Sequence, residues 1–332
     1  MGKKQTWFVV LLVLSVAILA ACQPAATPAS ESGEGAVGEG EEGDRIHFCV
    51  VHNNADHPSI TAIVNGMEAE ADAYGSIDLT FYDPAYDPQK QLDMIEDCIA
   101  LDPDAILVNA VDPAAVVPGL KKVQDAGIPL IMHNADTNEE GRQYSLTFVG
   151  CDFVEQGRAA GDAMVKYLED GAKGVIIQGK PGQTGVAERT SGAEEVIAAS
   201  GKDIEIIDAQ PADWMKDKAL TVMQDFLTRY PDLDFVYALD DPMALGALEA
   251  IKASGRQDEI KVFGVGGFKE ACDALKSSEL YGTALHPSYL VGVYSVRAAY
   301  DAVNDRVLPD VLNAPTGAIT PDNVDRLYHL CW

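Results

Sequence analysis

Short apolar runs alternate with longer amphipathic stretches along most of this chain. The first run, 45–51, has IHFCVV at its core and leads through a polar loop at 52–58 into 60–74. There Ile60, Ile63, Val64 and Met67 recur at helical spacing, and Gly75 follows as a helix stop. The same reading predicts strands at 77–82, 105–109, 129–134 and 145–149, with helices at 89–101 and 114–126. The rhythm then restarts with a helix at 154–168. It continues through strands at 174–178, 204–209, 235–239, 262–265 and 280–285, and helices at 187–200, 215–230, 243–251, 268–276 and 290–303. Runs such as AILV and VIIQ are apolar without alternation, as strands covered on both faces should be. Strict β-α alternation predicts parallel sheets with helices on both faces. At 332 residues the chain exceeds what one core usually holds. The expected fold class is therefore α/β, with two doubly wound parallel-sheet lobes.

One turn organises this pattern. Phe-Val-Tyr-Ala-Leu at 235–239 stops at Asp240-Asp241-Pro242, and a helix departs with Leu245, Leu248 and Ile251 on one face. Pro242 suits a first helical position. In open α/β sheets, ligands bind at such turns beyond the carboxyl ends of strands. Asp241 is read as a candidate helix cap and Asp240 as the carboxylate facing a cleft.

The beginning of the chain has a different character. Lys3-Lys4 precede an apolar stretch at 7–21, too short for an ordinary transmembrane helix, and Leu19-Ala20-Ala21-Cys22 matches a bacterial lipobox. The expectation is a lipoprotein signal peptide at 1–21, a lipid on Cys22, and a chain anchored to a membrane without spanning it, at the periplasm or cell surface. Residues 22–44 are rich in Pro, Ala, Ser, Gly and Glu and read as an acidic flexible tether. The net charge of −28 argues against a nucleic-acid partner. Beside Cys22, five cysteines remain, an odd number that leaves at least one free thiol if the others pair. Cys49 and Cys98 fall in one lobe and either bridge or pack as small apolar residues; packing is the preferred reading.

Reactive motifs are scarce. The glycine-rich stretch 179–185 lacks the Gly-Lys-Ser/Thr order of a phosphate loop, and its glycines read as turn formers. No G-x-S-x-G elbow, C-x-x-C pair or H-E-x-x-H spacing occurs, so no cofactor or metal is expected. Adjacent Asp240 and Asp241 do not make the facing carboxylates of a glycosidase.

Three segments carry a more specific signal: QPADWMKDKALTVMQDFL at 210–227, ALDDPMALGALEAIKASG at 238–255 and DPAYDPQKQLDMIEDCIAL at 83–101. With the run from Asn109 to Asn134, they resemble the ribose-binding-protein-like sugar receptors of ABC importers, over about residues 45–312. The resemblance implies a type I periplasmic binding protein: two lobes joined by a three-segment hinge near 150–151, 285–286 and 314–315. Residues 45–150 plus 286–313 would form the N-terminal lobe, and 151–285 plus 314–332 the C-terminal one. Ligand would sit between them.

Position by position, the family's binding asparagine of the first loop matches His57, and its two stacking aromatics are here Ser59 and Ile60. That loop is about two residues longer than the family's, which adds Asn53, Asn54 and Asp56 as candidate contacts; Asn54 is carried as a site residue. An Asp-Arg pair has become Asn134-Ala135, a second aspartate has become Gly266, and the hinge glutamine is His286. Arg189 and Trp214 match the family's binding arginine and aromatic, and Asp240 stands in place of an asparagine. The set mixes donors and acceptors, as hydroxyl-rich ligands require, and Arg189 with Asp240 keeps the charge near balance. The implied function is an extracytoplasmic, monomeric, non-enzymatic receptor for a small neutral carbohydrate or polyol, working with ABC permease subunits. The alternative is a receptor with the same cleft feeding a sensor kinase or chemoreceptor. A glycoside hydrolase with Asp240 as acid is the enzymatic alternative.

Overall fold

A computed structural model of the chain describes residues 45–332. The signal peptide and lipobox at 1–22 and the tether up to 44 lie outside the described residues. In the first half, the elements are β1 (Ile46–Val51), α1 (Pro58–Tyr74), β2 (Ile77–Tyr82), α2 (Pro88–Ala100), β3 (Ala105–Val108), α3 (Val117–Asp125), β4 (Leu130–His133), α4 (Glu139–Arg142) and β5 (Thr147–Gly150). The second half continues with α5 (Phe153–Tyr167), β6 (Lys173–Gln178), α6 (Thr184–Ser200), β7 (Glu205–Pro211), α7 (Lys216–Arg229), β8 (Phe235–Ala238), α8 (Asp241–Ser254), β9 (Lys261–Gly266), α9 (Lys269–Lys276) and β10 (Gly282–Leu285). Then come α10 (Ser288–Val303), β11 (Val311–Asn313), β12 (Ala318–Ile319) and α11 (Val324–Leu327).

The strands form two six-stranded sheets, ordered β11-β5-β4-β3-β1-β2 and β12-β10-β9-β8-β6-β7. All pairings are parallel except β10 with β12. The chain passes from the first sheet to the second after β5, returns through α10 to place β11 beside β5, and crosses again to β12. In each sheet the order reverses at one strand, β1 in the first and β6 in the second, and that opens a crevice at the carboxyl ends. The inner strands are buried throughout, for example β3 (AILV) and β8 (FVYA), because helices cover both faces. The short elements α4, β11, β12 and α11 have too few residues to show a period and are absent from the sequence reading.

The cysteines correct one expectation. Cys49 of β1 and Cys98 of α2 form a disulfide with Cα atoms 5.7 Å apart, so they are bonded rather than merely packed. Cys272 of α9 and Cys331 form a second, with Cα atoms 6.4 Å apart. Cys151, buried at the first crossing, is the free thiol among the described residues, and burial pushes its pKa up to about 12.

No helix among the described residues is long and apolar enough to cross a membrane.

Candidate functional site: an interlobe cleft

Between the two sets of strand tips lies a cleft of about 710 Å³, mouth included. The wall from the second sheet starts with two glycines. A β-carbon at Gly157 would collide with the carbonyl of Arg189, and one at Gly192 with that of Val154. Their absence lets α5 and α6 cross closely and sets Phe153 and Gln156 against Arg189. Arg189 is 7% exposed. Its Nε donates to Gln156 Oε1 (2.9 Å) and one Nη to the carbonyl of Leu239 (2.7 Å). The guanidinium carbon stands 4.9 Å from the Phe153 ring centroid and 5.6 Å from that of Trp214, cation–π distances for both. Burial pulls the Arg189 pKa below its ordinary value, while Tyr237, Asp240, Cys151 and Asp241 push it back up.

Trp214 follows β7 in a left-handed conformation, φ 64°, and its indole N–H donates to Gln183 Oε1. Its ring occupies the space a side chain at Gly179 would need. So close approach of the indole explains Gly179, while Gly182, φ 88°, is the glycine of that loop that serves a turn.

Asp240 and Asp241 divide their work differently from the sequence reading. Asp240 is the cap of α8: its Oδ1 accepts from the Met243 amide at 2.8 Å. Its Oδ2 meets Nε2 of His57 at 3.1 Å from the opposite wall. One carboxylate thus serves both helix and cleft. Asp241 is fully buried and not a cap; its Oδ2 accepts from the amides of Gly267 (2.7 Å) and Phe268 (3.0 Å), and its Oδ1 from the Thr283 hydroxyl (2.7 Å). Burial raises its pKa to about 7, against these three bonds that favour the carboxylate. Its role is to fix the turn that presents Phe268 to the cleft.

Opposite, His57 caps α1. Its Nδ1 accepts from the Ser59 amide at 3.2 Å, which leaves the proton on Nε2 to be donated to Asp240. Ser59 Oγ lies 2.7 Å from the same Nδ1, so serine, histidine and aspartate stand in a chain. The Ser59 amide, however, is spent on the imidazole instead of facing a reacting carbonyl, and the chain resembles a hydrolase triad in composition only. Asn134 sits just beyond β4 with φ 59°, a conformation asparagine tolerates. Its Oδ1 accepts from Nε2 of His286 at 3.1 Å. The other ring nitrogen of His286 takes the Gln156 amide at 3.0 Å, so this imidazole too is neutral with its proton on Nε2. Burial, reinforced by Arg189 and His57, lowers its pKa to about 3.

The cleft therefore gathers His57, Asn134, Arg189, Trp214, Asp240 and His286. Asn54 is not on its wall. It is a hydrogen-bond partner of Tyr86, and the neighbouring Asn53 lines the cleft instead. Asp56 is exposed. Lining residues that the sequence reading missed include Tyr86, Asp136, Phe153, Gln183 and Phe268. Asp136 is paired with Arg142, so it adds little net charge. Two further bonds cross between the walls: Lys180 Nζ to the carbonyl of Tyr86 (2.8 Å) and Gln183 Nε2 to that of Val111 (3.1 Å). No group of three or more metal-ligating side chains occurs among the described residues.

Two sheets joined by three crossings, with amides, a guanidinium, a carboxylate and aromatic rings facing each other across a cleft, define a two-lobed solute receptor. Residues 48–306 match the family model described as periplasmic binding protein domain. The chain is 30% identical to the ribose import binding protein of Bacillus subtilis (strain 168), covering 92% of this chain and 96% of the relative. Two solved structures of ABC transporter solute-binding proteins are similar. One, from Mycobacterium smegmatis with bound glycerol, has 31% identity and a TM-score of 0.80, covering 85% of this chain and 96% of that one. The other, from Bacillus halodurans C-125 with bound myo-inositol, has 27% identity and a TM-score of 0.81, covering 88% and 99%. The chain belongs to the periplasmic binding protein family and has the type I fold of its non-enzymatic, extracytoplasmic solute-binding members.

Proposed function

We propose that this chain captures a small neutral carbohydrate or polyol outside the cell and delivers it, on lobe closure, to the permease subunits of an ABC importer. The observation that carries the reading is the balanced set of polar groups between the walls: Arg189 and the His57 and His286 N–H groups as donors, Asp240 and Asn134 as acceptors. Hydroxyls both donate and accept, and such a set suits them without favouring a net charge. Trp214, Phe153 and Phe268 add ring faces for C–H surfaces. Glycerol and myo-inositol in the two similar structures are hydroxyl-rich ligands of the same kind. Closure of two lobes about a hinge is the general device for burying such a ligand.

The further elements of the proposal are cleavage before Cys22, a lipid on its sulfur, the acidic segment 22–44 as tether, and a monomer at the outer face of a membrane. A thermal-shift screen over sugars and polyols tests the ligand reading. At least one compound should raise the midpoint by several degrees and be recovered unaltered; no shift across the library, or turnover of the compound, contradicts it. Membrane fractionation of Cys22→Ala tests the anchor. The variant should leave the membrane pellet, and retention there would count against lipidation.

A further inference from the structure

Cys331 and Trp332 reach the cleft from behind. The Trp332 ring stands 4.1 Å from that of Phe268. Its indole N–H is shared between the carbonyls of Gly266 (3.1 Å) and His286 (2.8 Å). Its amide donates to the carbonyl of Gly267 (3.1 Å), and its own carbonyl accepts from the Lys269 amide (2.8 Å). The preceding cysteine is bonded to Cys272, one turn into α9.

All of these contacts fall on the 266–272 segment or on the His286 carbonyl, and both places serve the cleft. Phe268 lines it and meets the His57 ring edge-on at 6.4 Å. His286 is where the chain leaves β10 for the other lobe, with its ring bonded to Gln156 and Asn134. The turn just before Phe268 is weak by itself. Gly266 and Gly267 have φ values of 154° and 78° and no side chains to hold them. Asp241 grips this turn from inside the lobe, and Trp332 is the grip from the other side. Trp332 is not among the residues that line the cleft.

We propose that Trp332, held by the Cys272–Cys331 bond, is a positioning residue: it sets Phe268 and the crossing at His286 in the geometry that receives ligand, without touching ligand itself. The inference rests on the reading that ligand is held in this cleft. The test compares Trp332→Ala, Trp332→Phe and the Cys272→Ser/Cys331→Ser pair with the wild-type protein. Hydrogen–deuterium exchange is followed without ligand, and binding is followed by calorimetric titration with D-ribose, myo-inositol and glycerol. In Trp332→Ala, exchange at the amides of Lys269 and His286 should rise at least tenfold while α6 and α1 stay protected. Affinity for whichever probe binds should fall about tenfold. The double serine variant should follow it in the same direction. Trp332→Phe keeps a ring against Phe268 and should recover part of the affinity. Unchanged exchange at 266–269 and 286 in Trp332→Ala, or loss of protection spread evenly over the second lobe, would overturn the proposal. If the wild-type protein binds none of the probes and none of the wider library, the proposed function fails, and the exchange pattern decides the brace by itself.

Discussion

The two walls of the cleft are built to different standards of polar satisfaction. On the second-sheet side, Arg189, Gln156, Asp240 and Asp241 all have named partners, most between 2.7 and 3.1 Å. On the first-sheet side, several buried polar atoms have no hydrogen-bond partner within the protein: Asn53 Oδ1 on the wall itself and, just under it, both ring nitrogens of His52 and of His133 and Asn109 Nδ2. These lie at the tips of β1, β3 and β4, and the two imidazoles meet edge-to-face at 5.5 Å. A satisfied buried network holds its side chains in one arrangement, whereas unpaired buried groups reduce stability by about 1–3 kcal/mol each. The second wall is thus preorganised for a ligand, and the first carries a stability liability.

The largest expected effect concerns the two disulfides, one in each lobe. They close sequence separations of 49 and 59 residues, so chain entropy assigns each about 4 kcal/mol. The Cys49→Ser/Cys98→Ser pair should lower the unfolding free energy from urea titration by that order while leaving ligand affinity within about twofold, because this bond ties β1 to α2 away from the cleft. An affinity loss as large as that of the Cys272–Cys331 variant would erase the distinction between the lobes.

Next is the guanidinium. Arg189→Lys keeps a charge but loses the fork that joins Gln156 to the Leu239 carbonyl. Affinity should drop by about 100-fold, or about 3 kcal/mol, with circular dichroism unchanged; a loss below threefold would mean the second wall is not preorganised by this residue.

The imidazoles under the first wall give a pH signature. Burial lowers the His52 pKa from 6.5 to about 4, and burial with the neighbouring His52 lowers that of His133. In the unfolded chain both protonate near 6.5. Stability is therefore fully present above pH 6.5 and declines as pH falls from there towards 4, since the unfolded state takes up protons the fold refuses. Between urea unfolding at pH 7.5 and pH 5, His52 alone should contribute a loss of about 2 kcal/mol, and His133 a further loss of the same sign. His133→Met should remove part of that slope and leave the protein at least as stable at pH 5; an unchanged slope would show that these rings are not the liability.

The smallest effect is at the contact between the walls. His57→Ala removes the α1 cap and the partner of Asp240, and should reduce stability by about 1 kcal/mol. His57→Asn restores a cap but not the reach to Asp240. It should recover the melting temperature and leave affinity reduced.

How much of this was legible in the sequence follows the same division. Long apolar periods made the β-α order readable, and the turn at 240 could be placed because a strand, two aspartates and a proline coincide there. Arg189, Trp214, His57, Asn134 and His286 were reached through matched positions in the family and do converge on one cleft. Phe268, Phe153, Tyr86 and Gln183 were not reached, since nothing periodic distinguishes an aromatic or amide that turns inward from a loop or the first turn of a helix. The Gly-Gly before Phe268 was a usable signal: two glycines at a strand end mark a turn that can present the next side chain. Asp240 faces the cleft as the sequence reading has it, but the cap falls to it as well and not to Asp241, because a cap is decided by one backbone angle at the strand exit, φ −147° at Asp240, which local sequence does not specify. The Cys272–Cys331 disulfide was missed, and the Cys49–Cys98 bridge was the less favoured of two readings, for a similar reason: pairing depends on which helix packs over which strand, and spacing along the chain does not carry that.

Double-mutant calorimetry across the cleft tests the central claim most directly. The tightest binder from the sugar and polyol screen is titrated into the wild-type protein, Asn134→Ala, Asp240→Ala and the double variant. A ligand held between both walls predicts at least tenfold weaker binding in each single variant and no measurable binding in the double. Wild-type affinity in either single variant would place the ligand on one wall or outside the cleft, and would contradict the account.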